Sequence, residues 1–241
     1  MRTFRLAAAA ATLALGACAH SPSHAPADPL EPVNRGIYSF NTTADTYVLR
    51  PVAKGYVAVV PGFMRNGVNN FFGNLTGPLA IISQLLQGKP VAATADLGRF
   101  LLNTTLGLGG LIDVAGHWGL PAHREDMGQT FGRWGVGQGW YLMLPFLGPS
   151  TNRDLLGRLV GAPLSPLYTA ENSTVVWGLN VMDAIQTRAK LLNADRLLED
   201  QLDPYVFIRS AYLQRRWSAV HDGNPPPEPG GLDDFEDFDD F

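Results

Sequence analysis

Apolar residues recur at helical spacing along most of the chain. Val33, Ile37, Phe40 and Ala44 follow one another at four, three and four residues, with Arg35, Ser39 and Thr42 opposite, which predicts an amphipathic helix. Asp28-Pro29-Leu30-Glu31 precedes it and offers carboxylates to the free N–H groups of a helix start. Tyr47 to Val60 continues as a second apolar segment, interrupted at Pro51 and closed by Pro61-Gly62. Met64, Val68, Phe71 and Leu75 form another stripe, surrounded by Asn66, Asn69, Asn70 and Asn74, which is many amides and few charges for a water-facing surface. Pro78 to Gln87 reads as an apolar helix ended by Gly88-Lys89-Pro90, and Pro90 suits the first turn of the next helix. On that helix Asp96, Arg99 and Asn103 fall on one face at i, i+3 and i+7. Gly137 to Gly148 is short, aromatic and apolar, a strand pair or an interfacial turn. Ser150 to Leu159 reads as a short capped helix. Ser173 can cap a helix with Val175, Leu179, Met182, Ile185, Ala189 and Leu192 on one side and Asp183, Gln186, Arg188 and Lys190 elsewhere. Pro204 opens a last helix, Tyr205 to Val220.

The stretch the other segments are organised around is Arg99 to Gly116, RFLLNTTLGLGGLIDVAG. Its uncharged part, Phe100 to Ile112, is 13 residues long, short of the ~20 that cross a bilayer as a helix. Gly107, Gly109 and Gly110 rule out one continuous helix, since an interior glycine costs about 0.5–1 kcal/mol relative to alanine. The expected form is helix, a bend at Gly107–Gly110, then apolar chain returning toward the surface. It is either a buried core hairpin or a segment immersed in lipid without crossing it.

The termini set the compartment. Residues 1–17 have a charged start at Arg2 and Arg5 and an Ala/Leu run too short to span, the pattern of a secretory signal. Leu15-Gly16-Ala17-Cys18 resembles a bacterial lipobox, and Cys18 is the sole cysteine, so it is expected to carry a covalent acyl/diacylglycerol lipid and no disulfide. Residue 19 is Ala rather than an Asp that would resemble an inner-membrane retention signal, which places the protein on the outer membrane facing the periplasm. Residues 18–27 read as a lipidated tether, 28–221 as one domain, and 222–241 as a disordered acidic tail, rich in Pro and Gly and then in Asp, Glu and Phe. That tail holds eight of the 22 acids, so the formal net charge of −4 does not describe the domain. The domain is close to neutral, which argues against nucleic acid as a partner.

Motifs for catalysis are missing. There is no G-x-S-x-G elbow, no GK[ST] phosphate loop because Pro90 follows Gly88-Lys89, and Gly135-Val136-Gly137-Gln138-Gly139 lacks the spacing of the dinucleotide fingerprint. His117 and His123 do not match a zinc spacing. Asp113 with His117 is the one acid–base couple the spacing suggests, and a capping carboxylate beside a surface histidine explains the same residues.

Several fragments, in order, resemble the VacJ/MlaA lipoproteins: Asp28-Pro29-Leu30-Glu31 with Asn34-Arg35, Arg50-Pro51-Val52, Asn70-Phe71-Phe72-Gly73-Asn74-Leu75, Arg99 to Thr104 with Gly109 to Asp113, Leu144-Pro145-Phe146, Thr187-Arg188-Ala189 and Asp203-Pro204-Tyr205. The resemblance spans roughly residues 28–217. It implies an all-α fold, a ring of short amphipathic helices embedded in one leaflet around a central amphipathic channel. It also implies removal of misplaced phospholipids from the outer leaflet of the outer membrane, without any bond made or broken. The implied partners are phospholipid, a trimeric outer-membrane porin and a soluble periplasmic lipid carrier of the MlaC kind. The channel-lining candidates are Asp96, Arg99, Asn103 and Thr104, with Gly107, Gly109 and Gly110 as structural glycines. Two other readings are a periplasmic lipid hydrolase and a structural or adhesion lipoprotein. On the channel reading, replacing Asn103 by Leu slows lipid passage and leaves folding intact, while Gly110→Val distorts the frame.

Overall fold

The computed structural model describes residues 28–169 and 172–226. The signal segment 1–17, Cys18 with the rest of the tether, and the tail from residue 227 onward lie outside the described residues.

Prolines and caps set most of the helix boundaries. α1 (Glu31–Ala44) has Pro32 and Glu31 in its first turn. It runs on through a wider π turn, Asp45–Leu49, into α2 (Arg50–Val59). Pro51 is the reason: it has no N–H for the Tyr47 carbonyl and its ring crowds the preceding turn. The chain opens by one residue, and the Arg50 N–H bonds to the Asp45 carbonyl instead. Val60, extended before Pro61, ends α2. α3 (Gly62–Leu75) and α4 (Gly77–Leu86) are joined at Thr76, and α5 (Pro90–Thr105) starts at its proline. α6 (Val114–His117) is capped by Asp113 and α7 (Met127–Arg133) by Asp126.

The Gly137–Gly148 run resolves as a strand pair. β1 (Tyr141–Leu144) and β2 (Gly148–Thr151) are antiparallel, Tyr141 opposite Thr151 and Leu144 opposite Gly148. This hairpin is the departure from an all-helical fold among the described residues. Its free edge is covered by amides: Asn34 donates to the Tyr141 carbonyl at 3.0 Å and accepts from the Met143 N–H at 2.9 Å. One heptad on, Asn41 does the same for Leu144 and Phe146, at 2.9 and 2.8 Å. An unpaired edge would otherwise recruit another strand.

α8 (Asn152–Gly161) is capped by Thr151, one residue beyond the expected Ser150, which lies in β2. α9 (Pro166–Thr169) is short, α10 (Ser173–Leu191) is capped by Asn172 rather than Ser173, α11 (Asp195–Glu199) is one turn, and α12 (Pro204–Val220) is capped by Asp203. Neighbour packs on neighbour around a closed circuit: α1 on β1, β2 on α12, α12 on α7, α7 on α4, α4 on α3, α3 on α10, and α10 on α2.

The interior of this circuit is unusually polar. Asn34, Ser83, Gln84, Asp96, Asn103, Thr130, Arg153, Asp154, Gln186 and Arg216 are all buried, while the buried apolar side chains form one small cluster, Tyr141, Met143, Tyr205 and Tyr212, with Phe72, Met127, Val220 and alanines buried elsewhere. The apolar stripes are divided between inside and outside. On α1, Val33 is 59% and Phe40 49% exposed, while Ile37 packs on the tyrosine cluster. On α10, Val175 of the stripe is exposed while Leu179, Met182, Ile185 and Ala189 are half-buried; Trp177 and Val181, outside the stripe, are exposed, and Gln186 is buried.

The polar interior is tied by ion pairs. Arg216 on α12 bonds Asp126 at 2.6 and 3.0 Å and Asp154 at 2.6 Å, and the Tyr212 hydroxyl donates to Asp154 at 2.6 Å. Burial opposes the charge on Arg216, yet these carboxylates more than offset it and hold its proton more tightly than usual. Burial pushes Asp126 up, but the hydrogen bonds and charge of Arg216 outweigh it and leave the carboxyl below its usual range.

Arg216→Met leaves Asp154 buried with only the longer, 3.6 Å contact to Arg153 as its cation and should cost up to about 3–5 kcal/mol, seen as a large drop in unfolding temperature. In the wild type the Asp126 contribution is complete above the unfolded carboxyl value of about 3.9. It is lost as pH falls through the lower folded value. Arg216→Met should therefore flatten that acid limb in a pH series of thermal melts.

Candidate functional site

After Thr105 the chain bends as the glycines predict. Leu108, Gly109 and Gly110 have left-handed φ of 52, 72 and 97°. A Cβ on Gly110 would stand 2.4 Å from Asn74 Cβ, and one on Gly107 would stand 2.2 Å from the Ile112 carbonyl oxygen. Gly110 is thus required twice, by its angle and by its neighbour on α3. Gly109 needs only the angle, since nothing lies within 4 Å of its added Cβ.

The returning chain is pinned to α5 by Asp113. Its carboxylate takes Arg99 at 2.9 and 3.1 Å, Asn103 at 2.9 Å and the Gly116 N–H at 2.9 Å. Burial raises this carboxyl, but those donors outweigh it and hold it below its usual range. Arg99 also donates to the Leu120 carbonyl. Asn103 accepts from the Ala115 N–H at 2.9 Å, so both ends of its amide are used. His117 meets the Asp113 backbone carbonyl at 2.6 Å and not the carboxylate, so the acid–base couple suggested by the spacing does not form.

α3, α5, α10 and the segment from Asp113 to Glu125 enclose a cleft of about 490 Å³. Asp96, Arg99 and Asn103 all line it. Thr104 does not: its hydroxyl accepts from Asn74 at 2.9 Å and ties α5 to α3. Asp96 is buried, accepting from Gln84 at 2.5 Å with the His123 ring 3.3 Å away. Glu125 is met by Lys89 and by Gln87, each at 3.0 Å. A second cavity of about 360 Å³ adjoins it between α3 and α10, and Asn69 and Lys190 line both.

Sequence reasoning missed Asn69, Arg124, Asp183 and Lys190 as wall groups. The usable signal was the seven-residue spacing of Asp183 and Lys190, which puts them on one face of α10. Among the described residues no group of three or more His, Cys, Asp or Glu side chains comes together to hold a metal. What the cleft offers is amides, carboxylates and cations in an open polar wall, suited to hold or pass a polar, charged group.

The comparisons decide the family. The model of the MlaA lipoproteins matches residues 26–219. The chain belongs to the MlaA lipoprotein family. Two intermembrane phospholipid transport system lipoproteins MlaA, from Shigella flexneri and Escherichia coli (strain K12), are 40% and 39% identical over 225 residues, covering 88% of this chain and 88% of each relative. The MlaA of Haemophilus influenzae is 36% identical over 208 residues, covering 81% of this chain and 80% of its own. A solved structure concerned with the structural basis for maintenance of bacterial outer membrane lipid asymmetry aligns with a TM-score of 0.74 at 40% identity, covering 80% of this chain and 99% of that one. The MlaA match contains the whole helical circuit and the cleft.

In this MlaA frame Asn103 has a structural duty that its helical face did not reveal. Asn103→Leu leaves the buried Ala115 N–H without an acceptor, at about 1–3 kcal/mol. Lower protein level and a lower unfolding temperature should accompany any loss of lipid passage. A variant with wild-type stability would show that the return loop does not depend on this amide.

Proposed function

We propose that the chain is an outer-membrane lipoprotein of intermembrane phospholipid transport. In this reading it takes phospholipids misplaced in the outer leaflet and passes them to a periplasmic lipid carrier, which maintains lipid asymmetry. The observation that carries the reading is the inverted burial around a polar cleft. Exposed Leu101, Leu106, Leu108, Leu111 and Ile112 cluster along α5 and the bend behind it. Contiguous exposed apolar surface of this kind marks a membrane or partner surface. Trp118, Trp134, Trp140 and Trp177 are exposed as well, and tryptophan favours the headgroup level, where an apolar body and a polar tip are both accommodated. No helix among the described residues is long and apolar enough to cross a membrane. Helices lying within one leaflet fit these facts.

The cleft supplies the other half. A headgroup crossing hydrocarbon leaves polar groups unpaired at several kcal/mol each. A wall of Asp96, Arg99, Asn70, Asn74 and Lys190 lowers that cost without any chemical step. The names of the relatives, phospholipid transport system lipoproteins, and the lipid-asymmetry structure support the same reading. Anchoring through an acyl/diacylglycerol group on Cys18, a position on the periplasmic side, a trimeric porin as host and an MlaC-like carrier as acceptor belong to the proposal. They rest on the lipobox-like Leu15-Gly16-Ala17-Cys18 and on family membership.

Deleting the chain should raise outer-leaflet phospholipid, and a wild-type copy should restore it. Cys18→Ser should block acylation and restore asymmetry poorly. Unchanged asymmetry in the deletion would sink the transport reading, and an unacylated mature N-terminus by mass spectrometry would sink the anchor.

A further inference from the structure

The charges around the cleft divide into two sets. Arg99 is tied to Asp113, Lys89 to Glu125 and Asp222, and Asp96 to Gln84 and His123. Lys190, Arg124 and Arg65 have no carboxylate within ion-pair distance among the described residues. Lys190 lines both cavities, Arg124 the larger and Arg65 the smaller. The Arg65 Nε is sealed from solvent without an acceptor. The ammonium of Lys190 donates to the Asn69 side-chain oxygen, and Asn69 also lines both cavities, so this pair stands at their junction. Burial and the charge of Arg124 push the Lys190 ammonium below its ordinary range, while Asp183 pulls it upward. Asp183, seven residues earlier on α10, faces the larger cavity and is not within ion-pair distance of Lys190.

Resting on the reading of the cleft as a lipid passage, we propose that Lys190, flanked by Arg124 and Arg65, is a binding station for a phosphodiester anion, the group shared by glycerophospholipid headgroups. A lysine ammonium is a compact charge with three donors. Its present partner is a neutral amide oxygen, and a phosphate oxygen adds the attraction of opposite full charges that the amide lacks. An arriving anion therefore displaces Asn69 from Lys190. The same exchange releases the contact that bounds the two cavities and couples anion capture to passage from one to the other.

The test uses the full-length, lipidated protein in detergent micelles, titrated with dihexanoylphosphatidylethanolamine, with dihexanoylglycerol and with inorganic phosphate. Lys190→Glu should weaken binding of the phospholipid roughly tenfold, and Lys190→Arg should keep it within roughly threefold. Asp183→Asn, which removes an opposing charge, should tighten it, and Lys54→Glu, on an exposed part of α2, should leave it unchanged. Thermal melts confirm that each variant is folded. A folded Lys190→Glu variant that binds the phospholipid like wild type overturns the station. So does dihexanoylglycerol binding as tightly as the phospholipid, and so does inorganic phosphate competing at equal concentration, which would mark a free-phosphate site. The cellular arm separates the two levels of the argument. If deletion of the chain raises outer-leaflet phospholipid and Lys190→Glu fully restores asymmetry, the station alone fails. If deletion has no effect, the transport reading fails with it.

Discussion

Arg216 is clamped between Asp126, the cap of α7, and Asp154 in the first turn of α8, and it reaches both from α12. None of the three charges is cheap to bury alone, and together they hold three helices in one relation. The relation propagates. α7 carries Thr130, whose hydroxyl meets the Ser83 carbonyl of α4, and the same hydroxyl accepts from Gln87. Glu125, one residue before the Asp126 cap, takes Lys89 at the start of α5. Glu125, a wall group of the cleft, is thus held beside a joint made by an arginine that does not line the cleft.

Other joints repeat the device around the circuit. Arg35 of α1 takes Asp203, the α12 cap, at 2.7 and 3.2 Å. Arg188 of α10 takes Asp45 in the π turn at 2.6 and 2.9 Å, and Asp195 joins it at 2.9 Å while also receiving Arg50 at 2.7 Å. Many of the residues that carry the family resemblance, among them Asn34-Arg35, Arg50-Pro51, Arg99, Asn103, Asp113, Arg188 and Asp203, are these joints rather than free wall groups. A fold whose apolar side chains face outward cannot rely on a large dry core, so side-chain hydrogen bonds and ion pairs take over the task of specifying which helix meets which.

Most helices were legible from the sequence, because prolines, caps and periodicity act within a turn or two of chain. Pro90, Pro204 and the Gly107–Gly110 bend are where local chemistry put them. The inward face was not legible. A period of 3.6 says that Val33 and Phe40 share a face, yet it does not say whether that face meets protein or lipid. The burial of the amides Asn34, Gln84 and Gln186 is therefore not readable from periodicity. Asp96, Arg99 and Asn103 were found because they lie on one helix. Arg124 and Lys190 escaped because a loop and a helix separated by more than 40 residues of sequence bring them together. Thr104 was misjudged by a single position: it turns toward Asn74 rather than into the cleft.

Joint and wall are different employments for a charge, and one side chain rarely serves both. An arginine locked onto a carboxylate, as Arg99 is onto Asp113, has most of its donors committed, and freeing them for a passing ligand means leaving the carboxylate desolvated. Such a group shapes the cleft and lends it polarity, but it cannot follow a headgroup. Lys190 differs in having a neutral partner and a flexible stem, so it can exchange partners at small cost. The surroundings sharpen the contrast. An exposed pair such as Arg35 and Asp203 counts for little in water, and an apolar surface left in water opposes folding. Placed against hydrocarbon, the apolar surface ceases to be a cost, and ion pairs shielded from water strengthen as the local dielectric falls. The same membrane that the outer face of the helices fits is therefore the medium in which the joints hold most firmly.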